Sequence, residues 1–176
     1  SSITDTIADI ASSGLDYSVY VLDNASGDDC DLEQERVTIQ YLDKNVGFGA
    51  GHNILSSLHD SEYTLLLNPD TRFIQKNTIS RMIASLNSFT DAVAVGPRLL
   101  GKDESQQAWD HGELDPTSGA DSPGSYWEPR VNTGEVAWVS GAASLLRTSA
   151  LKSVGGFDEA FFLYKEEEDL FLRLRQ

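Results

Sequence analysis

Basic residues, cysteine and long apolar runs are all scarce in this sequence. Lysine and arginine number 13 against 28 aspartates and glutamates, which leaves a net charge of −15 and a pI of about 4.3. A surface this negative repels polyphosphate backbones and excludes non-specific nucleic-acid binding. The one cysteine, Cys30, has no internal partner for a disulfide, which fits a reducing compartment. Carboxylates beside it keep a thiol protonated, so Cys30 is expected to be inert. The longest apolar runs are short, such as Ala142 to Leu146, which Ser144 already breaks. Nothing approaches the ~20 apolar residues of a membrane span. No signal-peptide pattern opens the sequence, and no internal repeat appears.

What is present is enough for a core. Apolar residues make up 40% of the 176, with three Trp, six Tyr and seven Phe, which excludes a wholly disordered acidic chain. The length suits one domain, residues 1–176. The acid surplus lies in the first third, where residues 1–60 hold 11 acids and 2 bases. It is expected to be solvated surface.

Strand and helix patterns alternate. Residues 17–23 (YSVYVLD) and 37–42 (VTIQYL) read as strands. Ile54, Leu55 and Leu58 follow a glycine loop at helical spacing. Residues 63–68 are a continuously apolar strand, as expected where both sheet faces are covered, and Pro69 closes it. Residues 78–89 place Ile79, Met82, Ile83 and Leu86 on one helical face, and residues 92–96 form another strand. Residues 135–146 read as apolar strand broken at Ser140-Gly141. A helix is expected from Thr148 until Gly155-Gly156 ends it, and another over 166–175, with acids first and arginines last to match the helix dipole. The alternation predicts an α/β fold with a mostly parallel central sheet and helices on both faces. Ile3, Ile7 and Ile10 make the first element a helix, although such a sheet normally starts with a strand. A preceding first strand and the end of the last helix are therefore expected to be missing. Residues 101–134 lack periodicity and form a long loop. Its aromatics, Trp109, Tyr126 and Trp127, suit either sugar stacking, a lid, or anchoring of the loop.

Four segments carry chemistry. The strand ending at Asp23-Asn24 can place a carboxylate against a nucleobase or ribose, because ligands bind beyond the carboxyl ends of strands in open α/β sheets; an Asx-turn is the simpler reading. Residues 45–53 (NVGFGAGHN) hold alternating glycines before a helix, which permits close backbone approach. A dinucleotide fingerprint, with Asp70 as its ribose acid, is suggested, but the spacing is G-x-G-x-G instead of G-x-G-x-x-G. His52 has no second histidine at ligand spacing and reads as a packing group. Residues 67–71 (LNPDT) fix Asp70 at a strand end, where it can hold Mg²⁺ or Mn²⁺ with phosphate and water completing the shell. Finally, residues 138–143 (WVSGAA) are followed by GGFDE and FFLYKEEEDL. Four consecutive acids beside aromatics raise one another's pKa, which suits one of them to act as a base; an acidic helix N-terminus is the plainer alternative.

Taken in order, residues 21–26, 45–53, 65–71, 138–143 and 155–173 resemble the family 2 glycosyltransferases of GT-A fold, a Rossmann-like nucleotide-diphospho-sugar transferase architecture, and most closely their rhamnosyltransferase-like branch. The resemblance covers the chain from Tyr17 onward except residues 101–134. It implies a metal-dependent, inverting transfer from a nucleotide-diphosphate sugar, UDP- or dTDP-linked, to a hydroxyl of a glycan or lipid-linked acceptor in surface-polysaccharide synthesis. In that pattern Glu167 is the catalytic base, with Glu166 the near alternative. Asp23, Asn24, Asn45, Gly49 and Asn68 bind the nucleotide, and Asp70 holds the divalent metal. Trp138, Ser140, Gly141 and Asp158 shape the sugar or acceptor site. The metal motif here is N-P-D, so one carboxylate replaces the usual pair. The resemblance also implies a cytoplasmic location at the inner face of the plasma membrane, with any peripheral membrane contact made through parts outside this sequence. Two other readings remain open: a non-catalytic nucleotide-sugar-binding domain, and a Rossmann-type oxidoreductase binding NAD at Gly47–Gly51.

Overall fold

A computed structural model describes residues 3–27, 32, 34–114, 129–130 and 132–176. Cys30, Tyr126 and Trp127 lie outside the described residues. The elements are α1 (Ile3–Ala11), β1 (Val19–Asp23), β2 (Val37–Tyr41), α2 (Phe48–Ser56), β3 (Tyr63–Leu67), α3 (Thr78–Ser88), β4 (Ala94–Val95), β5 (His111–Gly112), β6 (Trp138–Val139), β7 (Ala143–Arg147), α4 (Thr148–Ser153) and α5 (Glu166–Leu174). No helix among the described residues is long and apolar enough to cross a membrane.

The strands form three ladders. β1 and β2 pair in parallel, from Val19 opposite Val37 to Asp23 opposite Tyr41. β7 lies between β3 and β4 and runs antiparallel to both. β5 pairs antiparallel with β6. Parallel pairing is thus confined to β1–β2 among the described residues. The mostly parallel sheet expected from strand–helix alternation is interrupted because β7, the central strand, enters from a tight bend and runs in reverse. β3 and β4 share one direction across it.

The period-two geometry of strands explains why the successive residues Leu65 and Leu66 of β3, and Leu145 and Leu146 of β7, are all apolar. Leu66 and Leu146 face one cluster, with Leu151 of α4, Phe157, and Leu170 and Phe171 of α5. Leu65 and Leu145 face the other, with Met82 and Leu86 of α3. The sheet is therefore covered on both faces, and a strand at its centre has no polar side to show. The helix expected over 78–89 buries Ile79, Met82 and Leu86 as its spacing required. Residues 101–134 were expected to be loop only, yet they contain β5. Two residues of strand leave no periodicity to detect.

Candidate functional site

The chemistry-bearing segments converge at the carboxyl ends of β1 and β3. At the end of β1, Asp23 accepts bonds from Ser26: N to Oδ1 at 2.7 Å and Oγ to Oδ2 at 3.0 Å. This is the local turn the simpler reading required, and it holds the carboxylate in place. Each oxygen keeps a further acceptor position. Asn24 then joins β1 to the glycine loop. Its Oδ1 accepts from Val46 N at 2.9 Å, and its Nδ2 donates to Asn45 Oδ1 at 3.0 Å and Gly47 O at 3.2 Å. Asn45 Oδ1 also accepts from Gly47 N at 2.8 Å. Both asparagines, expected to touch nucleotide, are engaged in fixing the loop.

The alternating glycines make room for other parts of the protein. Gly47 sits at φ +91°, and a Cβ there would lie 2.5 Å from Phe162 O; Phe48 N donates to the same carbonyl at 3.1 Å. A Cβ on Gly49 would meet Phe157 Cβ at 2.9 Å, and one on Gly51 would meet Leu22 Cδ2 at 3.0 Å. The close approach predicted for these glycines is real, but Phe162, Phe157 and Leu22 occupy it. These contacts account for the absence of a side chain at each of the three glycines by packing within the protein. His52 packs edge-on to Phe48, with ring centroids 4.4 Å apart, and burial pushes its pKa down to about 4. It is a neutral packing group, as its isolation in the sequence suggested.

The turn after β3 abuts the Ser140–Gly141 bend. Asn68 N donates to Ala142 O at 2.9 Å, and Thr71 Oγ1 donates to the same carbonyl at 3.3 Å. From α1, Thr6 Oγ1 lies 2.9 Å from Pro69 O and 2.7 Å from Thr71 O. Asp70 is exposed on this braced turn. Among the described residues no group of three or more His, Cys, Asp or Glu side chains could hold a metal. A single carboxylate fits only the ligand-poor mode of Mg²⁺ or Mn²⁺, in which phosphate oxygens and water complete the shell. A Cβ on Gly141 would meet Phe48 Cζ at 2.9 Å, so the bend also rests on the glycine loop. Ser140 Oγ accepts from Ala142 N at 3.2 Å and shapes the bend. Trp138 departs from expectation. It is 4% exposed, within the core cluster of α5, with its indole over Gly112. A side chain so buried cannot line a sugar site, so Trp138 is core.

The acids begin α5. Glu166 is 3% exposed and Glu167 half-buried, and in each Oε2 is buried without a hydrogen-bond partner. Burial, reinforced by the charge of Glu167, raises the pKa of Glu166. Glu168 and Asp169 have different tasks: Glu168 pairs with Lys165 at 2.6 Å and Asp169 with Arg173 at 2.7 Å. The backbone just before the acids is strained. Tyr164 and Lys165 have φ of +67° and +75°, each a conformation costing an L-residue ~1–2 kcal/mol. Asp158, exposed, accepts from Ala160 N at 2.9 Å and closes the preceding turn.

Two features are not singled out by composition or spacing. Asn53 is a clamp: Nδ2 donates to Phe157 O at 2.9 Å and to Glu159 Oε1 at 3.1 Å, and Oδ1 accepts from Phe157 N at 2.8 Å. It ties α2 to the segment that leads to the acids. The second is a buried ionic network. Asp110 and His111 are 4% and 6% exposed. His111 lies between Asp110 Oδ1, 2.5 Å from Nδ1, and Glu113 Oε1, 3.0 Å from Nε2. Arg130 embraces Glu113 through Nε and a second nitrogen, and holds its carboxyl below the usual range. The D-H-x-E run was the visible signal, but its cation, Arg130, lies 17 residues beyond Glu113.

No family model matches the chain. It is 29% identical, over 127 residues, to an N-acetylglucosaminyl-diphospho-decaprenol L-rhamnosyltransferase of Mycobacterium tuberculosis, a match present in two strains. The match spans 64% of this chain but only 41% of the relative's length. Among solved structures, TarS of S. aureus (residues 1–349) superposes with a TM-score of 0.64 at 16% identity, covering 98% of this chain and 50% of that one. The mannosyltransferase PcManGT of Pyrobaculum calidifontis, in complex with GDP-Man and Mn²⁺, gives 0.63 at 12% identity, covering 96% and 46%. The chain thus has the α/β fold of the GT-A glycosyltransferases, and over part of its length it is similar in sequence to a rhamnosyltransferase, spanning less than half of that relative.

Proposed function

We propose that this chain forms the donor-binding and catalytic part of an inverting glycosyltransferase. It moves a sugar from a UDP- or dTDP-linked donor to a hydroxyl of a glycan or lipid-linked acceptor of the cell surface, working at the cytoplasmic face of the membrane. The observation that carries this reading is the acid pair at the start of α5. Two adjacent carboxylates each bury an oxygen with no partner. Such groups are costly unless a ligand completes them.

An acceptor hydroxyl has a pKa far above 7 and needs a base as it attacks. Glu167, the less buried of the pair, takes that proton. Burial makes Glu166 hold its own proton more readily than an ordinary carboxyl does. Glu166 is the alternative base. Asp23, steadied by Ser26, has acceptor positions left for a nucleobase. A divalent ion, when bound at Asp70, supplies charge neutralisation for the diphosphate leaving group. Attack from the face opposite that group inverts the anomeric carbon, as in inverting glycoside hydrolysis.

Replacing Glu167 by Gln removes the base and keeps the shape. Transfer from donor to acceptor, followed by mass spectrometry of the product, is expected to fall by roughly 10²–10⁴-fold, with the donor dissociation constant unchanged. If donor binding collapses together with transfer, Glu167 is a structural residue and not the base.

A further inference from the structure

We propose that Trp109 is a stacking platform for a pyranose ring of the acceptor saccharide, presented beside the Ser140–Gly141 bend; the saccharide identity rests on the transfer reaction proposed above. Trp109 is 54% exposed, so more than half of its surface is open to a ligand. Its backbone is left-handed, at φ +69°, a strained state for a bulky L-residue. An exposed aromatic in a strained backbone persists only where its surroundings over-determine it.

The next residue supplies that constraint. The Asp110 carboxylate accepts from Leu99 N at 3.2 Å and Gln106 Nε2 at 2.9 Å, and lies 2.5 Å from His111 Nδ1. Its carbonyl accepts from Ser140 N at 3.0 Å. His111 passes the constraint to Glu113, and Glu113 to Arg130. Trp109 is therefore one residue from a buried network and one hydrogen bond from the bend. A rigid ring loses little freedom when a ligand lands on it.

The chemistry favours a neutral sugar. A chain carrying −15 repels anionic groups that bring no cation with them. A pyranose offers an apolar C–H face to the indole and hydroxyls to its Nε1–H, the pairing an amphipathic aromatic suits. The Ser140–Gly141 bend, which Asp110 touches, is also the segment that contacts the turn bearing Asp70.

The test is a titration of the ¹⁵N-labelled chain with methyl N-acetyl-β-glucosaminide, followed on the indole N–H signals. The signal lost in Trp109→Phe identifies Trp109, and that of buried Trp138 reports folding. The Trp109 signal is expected to shift saturably while that of Trp138 stays. Trp109→Ala is expected to weaken sugar binding by about five- to tenfold, and Trp109→Phe to retain most of it. Undiminished binding in Trp109→Ala with the Trp138 signal in place overturns the proposal, as does a Trp109 signal that does not move at saturating sugar, or no sugar binding at all. A separate titration with UDP- and dTDP-sugars and Mn²⁺ keeps the two readings apart. If neither donor binds but the Trp109 shift persists, the transfer reading fails and the saccharide platform stands.

Discussion

Replacing Asn53 by Ala cuts the joint between the glycine-loop helix and the segment that carries the acids. Asn53 makes two bonds to the backbone of Phe157, at 2.9 and 2.8 Å, and one to Glu159 at 3.1 Å. Phe157 is buried, so its N–H and C=O lose their partners where water has little access. Each net bond is worth about 1 kcal/mol, and a stranded buried group adds about 1–3 kcal/mol. The bond to exposed Glu159 adds little. The expected loss is about 2–4 kcal/mol, a large part of the ~5–15 kcal/mol that stabilises a domain. It corresponds to roughly 4–16 °C in Tm for a chain of this size. Urea unfolding followed by circular dichroism measures it, and the slope m should not change. A loss below about 1 kcal/mol at unchanged m would show that the clamp does not hold α2 to this segment.

Two further outcomes follow from the site. The pKa of Glu166 is raised in the folded chain by burial and by the charge of Glu167, so the folded state binds that proton more tightly than the unfolded state does. Its contribution is fully present below the ordinary glutamate pKa of about 4.3 and is lost as pH rises through the raised value. Glu166→Gln is therefore expected to be more stable than the parent at pH 8, by about 1 kcal/mol, and no more stable near pH 4; a pH-independent difference in urea unfolding would contradict this. Asp70→Ala is expected to change stability by less than about 0.5 kcal/mol, because the residue is exposed. It should abolish any Mn²⁺ enhancement of donor binding, and an unaltered Mn²⁺ titration would remove Asp70 from the metal site.

Elements with a strong period were legible from residues alone. Ile79, Met82 and Leu86 marked α3, and the apolar run 63–68 marked a strand covered on both faces, because burial sets those patterns directly. The direction of β7 was not legible, since no residue type encodes whether a neighbouring strand is parallel. The glycines at 47, 49 and 51 announced close approach without naming what approaches, and the partners, Phe162, Phe157 and Leu22, come from distant segments. Trp138, expected with Ser140 and Gly141 to shape the sugar or acceptor site, is instead buried, with Gly112 and the α5 cluster around it; its local sequence carries no sign of those distant partners. Trp109, with much the same local signal, is the exposed one. The Asp110 network escaped notice because its members gain meaning only when β5 brings them beside β6.

The measurement closest to the centre is calorimetric titration of the intact chain with UDP- and dTDP-sugars, with and without Mn²⁺. Saturable one-to-one binding of one of these donors, strengthened by the ion, is the expected result. It should be accompanied by thermal stabilisation that rises with donor concentration, by about 2.7 kcal/mol at a hundredfold excess over Kd. Neither heat nor thermal shift with any such donor, while the folded chain keeps its circular dichroism, would contradict the donor-binding role assigned to the ends of β1 and β3.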